Sequence, residues 1–401
     1  MTQPDNLAED PFFRRSEDTM WNACIGPQGH EENYVDGYIE AAVLLADLVV
    51  AKELYISRDT LVLPILYNAR HAIELSLKYA IKRLHAAGVL LEDAKANHDI
   101  DKHLGKINSA RVGDYALREL FKRIGPYVKS LSAIDTDGQQ LRYSRDQEGN
   151  KSLENRPLAN LNVIRASLAE LSRILQQLKN RIHSFCEENS TGTKTAICSR
   201  SDLEYIAREL SAIKDRRDPA FAELKASVKE RFGLGNKTFG DAVAVIEANP
   251  ELAAYVGIES ELEHLSDEQA RFFVENWTRL HPPRHGEPKT RIIPSSELRK
   301  IIMAMPSSTP VALELMRKLS IIELADVETI YYLGRDSEMP EFYGKLLSST
   351  KKEYEVASNP IDKVQNLLSK TNFLTAFAKG LARLGRPRLA EELLATRDDL
   401  R

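Results

Sequence analysis

The amino-acid sequence predicts an all-α protein, in which an up-down bundle of four to five helices with a small hairpin insertion precedes a second, irregular helical domain. Three observations support this fold class. Long segments of the first half carry apolar residues at the spacing of one helix face. Capping residues and glycines stand at the ends of those segments. The second half contains shorter helical segments that Gly and Pro separate.

The first two helices of the bundle are predicted from apolar spacing and from their ends. Helix one starts at about Asp36 and ends near Ile56. Its predicted buried stripe is Ala41, Leu44, Leu45, Leu48 and Val49. Helix two follows the capping residues Ser57 and Asp59, tolerates Pro64 in its opening turn and stops at Gly88. At roughly 25 residues and about 1.5 Å of rise each, it is long enough to line the whole bundle.

Two more long helices follow a polar link that carries His98 and His103. One is predicted from about Asp114 to Leu131 and the other from about Leu158 to Phe185. The second has one apolar side, made of Ile164, Leu168, Leu171, Leu175, Leu178 and Ile182. Between the two helices, Gly138 and Gly149 interrupt the helical pattern. We therefore expect a hairpin or structured loop there.

The small, polar stretch from Glu188 to Arg200 predicts the domain boundary. The expected order is an N-terminal arm (1–34), the bundle (35–188), a linker (189–200) and a C-terminal helical domain for recognition or assembly (201–401). The last domain shows no fixed repeat, so an irregular stack of helix pairs remains open. Its predicted helices include Asp202 to Lys214, Glu268 to Leu280, Val311 to Leu319, Ile321 to Leu333 and Phe373 to Leu384.

Composition excludes several classes of protein. The 401 residues are 43% hydrophobic and 28% charged, as in globular proteins of two or three domains. A net charge of -4 gives no global attraction to nucleic acid, so such binding would need a local basic patch. Three cysteines without metal-binding spacing fit a reducing compartment. The longest apolar run, Ala41 to Ala51, is too short to span a bilayer, and the polar N-terminus lacks a secretory pattern. We therefore expect a cytoplasmic protein with no membrane partner.

Common cofactor and catalytic motifs are missing from the sequence, which contains no phosphate loop, Gly-x-Gly-x-x-Gly, His-Glu-x-x-His or nucleophile elbow. We expect no cofactor. His98 and His103 with Asp99 and Asp101 could form a metal site, but a turn with helix caps explains these residues equally well. The prediction is no metal.

One run of predicted helix two carries several ionisable residues. Helical spacing puts His71, Glu74 and Lys78 on one face, and Arg70 lies within i,i+4 reach of Glu74. Such a face is either solvated or forms a polar seam inside the bundle. The sequence leaves both open.

This Arg-His-x-x-Glu-Leu-x-x-Lys run, the downstream His98-Asp99 and the later Asp-x-x-Gly-x-x-x-Arg-Tyr segment resemble one subset of HEPN (higher eukaryote and prokaryote nucleotide-binding) domains. The later segment consists of Asp135, Gly138, Arg142 and Tyr143. The resemblance covers about residues 36–188. It implies an RNA or nucleotide ligand, a homodimer or protein partner that meets the bundle, and a toxin or phage-defence setting.

Catalysis is a separate question, because ribonucleases of this superfamily use an Arg, four to six residues and a His near the end of a late helix. Here Arg173, Arg181 and His183 have other spacings. The near match from Arg279 to His285 lies in a Pro-rich loop outside the region of resemblance. Metal-independent endoribonuclease activity and binding without cleavage therefore both remain open.

In the catalytic hypothesis, Arg70 binds phosphate, His71 is the acid or base, Glu74 orients it and His98 is the partner acid. The predicted substrate-binding residues are Lys78, Arg142, Tyr143 and Arg145, because a Tyr can stack on a base while cations hold a phosphate. In the alternative, Tyr143 plugs the bundle and Arg142 pairs with Glu74. The protein would then be a non-catalytic scaffold whose C-terminal helices bind another protein.

Two features of the second half raise the possibility of contact with nucleic acid. The basic segment from Trp277 to Lys300 would contact nucleic acid or an acidic partner, or would simply connect two helices. The element from Lys379 to Leu394 is predicted to be an αα-hairpin with Gly385 as the stop and Pro387 at the next start, in preference to a DNA-binding helix-turn-helix.

Overall fold

A computed structural model describes residues 10–13, 16–94, 97–145, 149–154, 158–212, 217–282 and 308–398. These residues form helices, turns and one isolated antiparallel bridge, so the all-α prediction is confirmed. The chain divides into two compact units, which are described separately. Unit 1 contains Met1–Ala110 and Glu119–Ile182, and unit 2 contains Arg111–Arg118 and His183–Arg401.

Five helices supply unit 1. They are α1 (Glu31–Ala51), α2 (Arg58–Ala86), α3 (Ile100–Ser109), α4 (Tyr115–Ser132) and α5 (Leu161–Ser190). The first residues of α4 and the last of α5 belong to unit 2. Helix α1 ends before the predicted Ile56, and Glu53 just beyond it has a positive φ of 51°. Helix α3 lies where the sequence predicted only a polar link.

The interior of unit 1 forms around α2, whose apolar side is fully buried. That side includes Ile65, Ile73, Leu77, Ile81 and Leu84, each 0% exposed. The predicted position of Pro64 in the opening turn is wrong, because it is the seventh residue of α2 and lies inside the helix. The prediction that Gly88 lies beyond the end is confirmed, and its φ is +72°.

The predicted buried stripe of α1 is largely wrong. Leu44 and Leu48 are 60% and 41% exposed, whereas Ala42 and Ala46 are 0% exposed. Helix α1 packs on α2 through the side that carries these alanines. Small side chains let two helix backbones approach closely, so the larger leucines point away. For α5 the predicted stripe is confirmed, with its buried members being Leu168, Leu171, Leu175, Leu178 and Ile182.

Eleven shorter helices of unit 2 lie within the described residues. They are α6 (Arg200–Ser211), α7 (Pro219–Phe232), α8 (Asn236–Ala248), α9 (Pro250–Tyr255), α10 (Asp267–Leu280), α11 (Ser308–Lys318), α12 (Ile321–Asp336), α13 (Tyr343–Val356), α14 (Pro360–Leu368), α15 (Phe373–Arg383) and α16 (Pro387–Asp398). In the larger core, the ring of Phe373 contacts the buried rings of Phe273, Trp277, Tyr331 and Phe377.

Two glycines allow a close crossing of α12 and α15 in unit 2. A Cβ on Gly334 of α12 would lie 1.9 Å from the carbonyl oxygen of Ala376, and one on Gly380 of α15 would lie 2.0 Å from that of Ile330. No side chain fits at either place. The next connection is the predicted αα-hairpin, in which α15 ends at Arg383, Gly385 has a φ of +81° and α16 starts at Pro387.

Across the described helices, none combines the length and the apolar character that a membrane span requires. The predicted hairpin insertion holds one antiparallel bridge, between Arg145 and Lys151. Residues 283–300 of the predicted basic segment, which include His285, lie outside the described residues.

Candidate functional site

Arg70 lies at the centre of a buried polar network in unit 1. Its side chain is 2% exposed. The guanidinium group donates from Nε to the backbone oxygen of Asp135 at 2.8 Å and from one terminal nitrogen to those of His98 at 2.7 Å and Thr136 at 3.0 Å. The other terminal nitrogen donates to Oε2 of Glu74 at 3.3 Å. Arg70 therefore ties helix α2 to two loops.

Glu74, one turn further along α2, holds three more groups. Its Oε1 accepts from Nζ of Lys78 at 2.7 Å and lies 2.8 Å from Nδ1 of His98. Its Oε2 lies 3.9 Å from Nδ1 of His71, which is an electrostatic contact longer than a hydrogen bond. One carboxylate, itself 2% exposed, thus faces the Nδ1 atoms of two imidazoles.

The ionisation of Glu74 follows from these contacts. Burial alone would raise its pKa, but the interactions with His71, Lys78 and His98 outweigh burial and lower the pKa well below the usual range. Glu74 is therefore an anion at neutral pH. Arg70 and Lys78 balance the charges of Glu74 and Asp135, so protonation of either imidazole would give the group a net positive charge.

The loop after α4 is fixed by Asp135, which is 0% exposed. Its carboxylate accepts from the backbone N–H groups of Gln140 at 3.1 Å and Leu141 at 3.3 Å. The same turn contains Gly138, whose φ is +81°, and a Cβ there would lie 3.2 Å from a terminal nitrogen of Arg70. Glycine is needed both for the backbone conformation and for the space beside the guanidinium.

The outer edge of the network is aromatic and cationic. His71 is 23% exposed and packs between Tyr67, stacked at 5.7 Å between ring centroids, and the edge-on ring of Tyr38 at 4.3 Å. The guanidinium of Arg142 lies 5.8 Å from the ring centroid of Tyr67 and 5.6 Å from that of Tyr143. We call Tyr38, Tyr67, His71, Arg142 and Tyr143 the aromatic edge.

The sequence-predicted residues fall into two groups. The network brings Arg70, His71, Glu74, Lys78 and His98 together, and Arg142 lies beside it. Tyr143 is 56% exposed, so it does not plug the bundle, and Arg142 donates to the backbone oxygen of Gly138 at 2.5 Å. Arg145 lies apart, in the hairpin, and donates to the backbone oxygen of Gly149 at 2.7 Å.

Sequence reasoning missed Tyr38 as a site residue. The only signal in the sequence is that Tyr38 lies on α1 one turn before Ala42, which faces α2. It also treated Asp135 only as part of a motif. The burial of Asp135 at the start of a Gly-containing turn shows that it builds the loop.

His98 and His103, the candidate metal ligands, lie in the loop after α2 and in the first turn of α3. Asp99 caps α3 by accepting from the N–H of Lys102 at 3.0 Å, and Nε2 of His103 lies 3.2 Å from the backbone oxygen of Asn97. Burial, together with nearby Lys78, lowers the pKa of His103. Where the structure describes the chain, no three His, Cys, Asp or Glu side chains are grouped as metal ligands.

Comparisons with protein-family models, with curated proteins and with solved structures find no match to this chain.

Proposed function

We propose that unit 1 is an RNA- or nucleotide-directed module that cleaves RNA without a metal ion, as a toxin or phage-defence endoribonuclease would. One observation carries the proposal: the buried carboxylate of Glu74 faces the Nδ1 atoms of both His71 and His98 at a partly exposed edge. This arrangement favours the tautomer that carries its proton on Nδ1. The Nε2 atom of each ring is then available to exchange a proton with a substrate.

The chemistry needs an acid and a base on opposite sides of one phosphate. In the proposed step, Nε2 of His71 takes the proton of a ribose 2′-hydroxyl, and the 2′-oxygen forms a bond to phosphorus. The bond from phosphorus to the 5′-oxygen breaks, and protonated His98 supplies the proton to that oxygen. The products are a 2′,3′-cyclic phosphate and a 5′-hydroxyl. General acid–base catalysis of this kind contributes about 10²- to 10⁴-fold in rate.

In this proposal Arg142, and not Arg70, is the cation that contacts the phosphate. Arg70 is 2% exposed and already donates to four protein oxygens, so it serves as a positioning residue for Glu74 and the two loops. Arg142 is the exposed cation of the aromatic edge and can stabilise charge that develops on the phosphate. Tyr143, 56% exposed, offers a ring on which a base can stack.

The test uses the full chain, a single-stranded RNA oligonucleotide and a metal chelator. We expect cleavage to products with cyclic-phosphate and 5′-hydroxyl ends, and no cleavage of DNA of the same sequence, because DNA lacks the 2′-hydroxyl. His71→Ala and His98→Ala should each lower the rate at least about 100-fold. His183→Ala, a 59%-exposed residue on α5, is the matched control and should cleave normally.

Two results would contradict the proposal: RNA left intact by the folded wild-type chain, or equal rates for all three variants. Far-ultraviolet circular dichroism of each variant establishes that it is folded.

The hydrogen bonds of Arg70 to four protein oxygens favour a second function, that of a non-catalytic scaffold. A guanidinium group fully engaged with protein oxygens is also what a non-catalytic scaffold needs to lock a bundle. In that case, RNA would remain intact and His71→Ala would change only the melting temperature. The same assay therefore distinguishes the two functions.

A further inference from the structure

Unit 2 contains a cavity that the proposed function does not use. Its volume is about 450 Å³, within the range of small-molecule pockets. Helices α6, α9, α15 and the start of α16 line it, together with Ser337 at the end of α12. Every lining residue belongs to unit 2.

One wall of the cavity is a charged face of α6. Arg200, Glu204 and Arg208 follow one another at intervals of four residues, so they lie along one side of the helix. The Arg200 side chain is 5% exposed and binds Glu251 and Glu341. Arg208 binds Glu204 at 2.8 Å. Its guanidinium carbon lies 4.1 Å from the ring centroid of Tyr255.

Helix α15 also lines the cavity, and its Lys379 and Arg383 are again four residues apart. Two like charges at this spacing repel each other by a few tenths of a kcal/mol in an isolated helix. Lys379 donates from Nζ to the hydroxyl of Ser337 at 2.7 Å, so its partner in this contact is neutral. Arg383 donates through Nε to Glu251 at 3.1 Å, which leaves its terminal N–H groups for another acceptor.

The charges of the lining residues and of the one further carboxylate bound to them do not cancel. The lining has four cations, Arg200, Arg208, Lys379 and Arg383, and two carboxylates, Glu204 and Glu251. Glu341 supplies a third carboxylate from outside the lining, through Arg200. One positive charge remains in excess, and it lies on the α15 side, where Lys379 has a hydroxyl partner.

We propose that this cavity binds a small phosphorylated molecule whose phosphate group lies between Lys379 and Arg383. A phosphate accepts several hydrogen bonds at once, and it would be held by the Lys379 ammonium, the terminal N–H groups of Arg383 and the Ser337 hydroxyl. It also relieves the repulsion between the two cations of α15. The remaining volume beside Tyr255 accommodates the rest of the ligand.

Inorganic pyrophosphate is the probe, titrated by isothermal calorimetry into the full chain at constant ionic strength. We expect saturable binding at one site that weakens as salt increases. Lys379→Ala should weaken it at least tenfold. The matched control is Lys352→Ala, which removes an exposed lysine of α13 outside the cavity lining and should leave the affinity within twofold.

Ser337→Ala separates the site from a general charge effect, because it removes one donor and no charge, and it should weaken binding severalfold. His71→Ala should bind pyrophosphate normally, so the failure of the RNA proposal and the failure of this one are distinguishable. The inference is overturned if no saturable binding occurs, or if Lys379→Ala and Lys352→Ala bind equally well.

Discussion

Replacing Arg70 with alanine is the perturbation that tests the buried network most sharply. The guanidinium group donates to the backbone oxygens of His98, Asp135 and Thr136 and contacts Glu74, all within unit 1. Truncation would leave the three carbonyl groups without this donor, and Glu74 would keep Lys78 as its cationic partner.

The magnitude follows from burial. A buried polar group that loses its partner costs about 1–3 kcal/mol, and breaking a buried ion pair costs about 3–5 kcal/mol. Because water can enter the space left by the side chain, the three carbonyl losses do not add fully. We therefore expect Arg70→Ala to lower the free energy of unfolding of unit 1 by about 3–5 kcal/mol. Lys82→Ala on the same helix removes a 56%-exposed side chain bound to Glu31 and should cost about 1 kcal/mol or less.

The assay combines urea denaturation with hydrogen exchange, since the two units need not unfold together. In Arg70→Ala, the amides of Gln140 and Leu141 should exchange faster, because the Asp135 carboxylate that accepts from them loses the neighbouring cation. The reasoning is refuted if Arg70→Ala destabilises unit 1 no more than Lys82→Ala does, or if exchange at these two amides is unchanged.

Three further predictions concern stability. Gly138→Ala should lower the melting temperature more than Gly149→Ala: both have a φ above +80°, but only at Gly138 does the new Cβ crowd the buried guanidinium, at 3.2 Å. Gly380→Ala should lower the free energy of unfolding by about 1–3 kcal/mol or more, measured by urea denaturation, because its Cβ would meet a facing carbonyl oxygen at 2.0 Å. Gly240→Ala, in open space, should raise the free energy of unfolding by about 0.5–1 kcal/mol. Above pH 6, Asp326→Asn should raise the free energy of unfolding by up to about 3 kcal/mol. Below pH 4 it should not stabilise the protein, and denaturation at a series of pH values measures the difference.

The sign of the last prediction follows from burial. Burial raises the pKa of Asp326 to about 6, although the hydrogen bond from Tyr343 opposes the rise. The folded state therefore prefers the protonated acid, and its stability falls as pH rises from the unfolded pKa towards 6. The amide of Asn does not titrate and still accepts from the Tyr343 hydroxyl, which lies 2.7 Å from Oδ1. A stability difference independent of pH would contradict this account.

Controls also decide the glycine predictions. Equal losses in Gly138→Ala and Gly149→Ala would mean that only backbone strain matters. A melting temperature of Gly380→Ala at or above that of the wild type would mean that α12 and α15 separate at little cost.

The sequence predicts the helices more reliably than the faces they bury. Periodic apolar residues identified the long helices. The ten-residue α3 was missed inside a polar stretch, although Ile100, Leu104 and Ile107 stand at helical spacing on its buried side. On α1, the spacing of Leu44 and Leu48 predicted that they face the core. The buried positions are instead Ala42 and Ala46, because what decides the face is the space that α2 leaves.

The same limit applies to the site. Arg70, Glu74 and Lys78 could be grouped from helical spacing alone, because their contacts span four residues. The partners of Arg70 in the later loop are 65 and 66 residues away, so no local pattern fixes them. Without knowing that backbone oxygens occupy the guanidinium of Arg70, the sequence could only suggest that this residue binds phosphate.

The most direct test of the central claim is the pH dependence of RNA cleavage by the full chain, in the presence of a chelator. If Glu74 orients a base and an acid on one substrate, the rate should follow a bell-shaped curve. His71→Ala should remove the dependence on its acidic side, and His98→Ala that on its alkaline side. A rate that does not vary with pH, or a curve that both variants leave unchanged, would contradict the account.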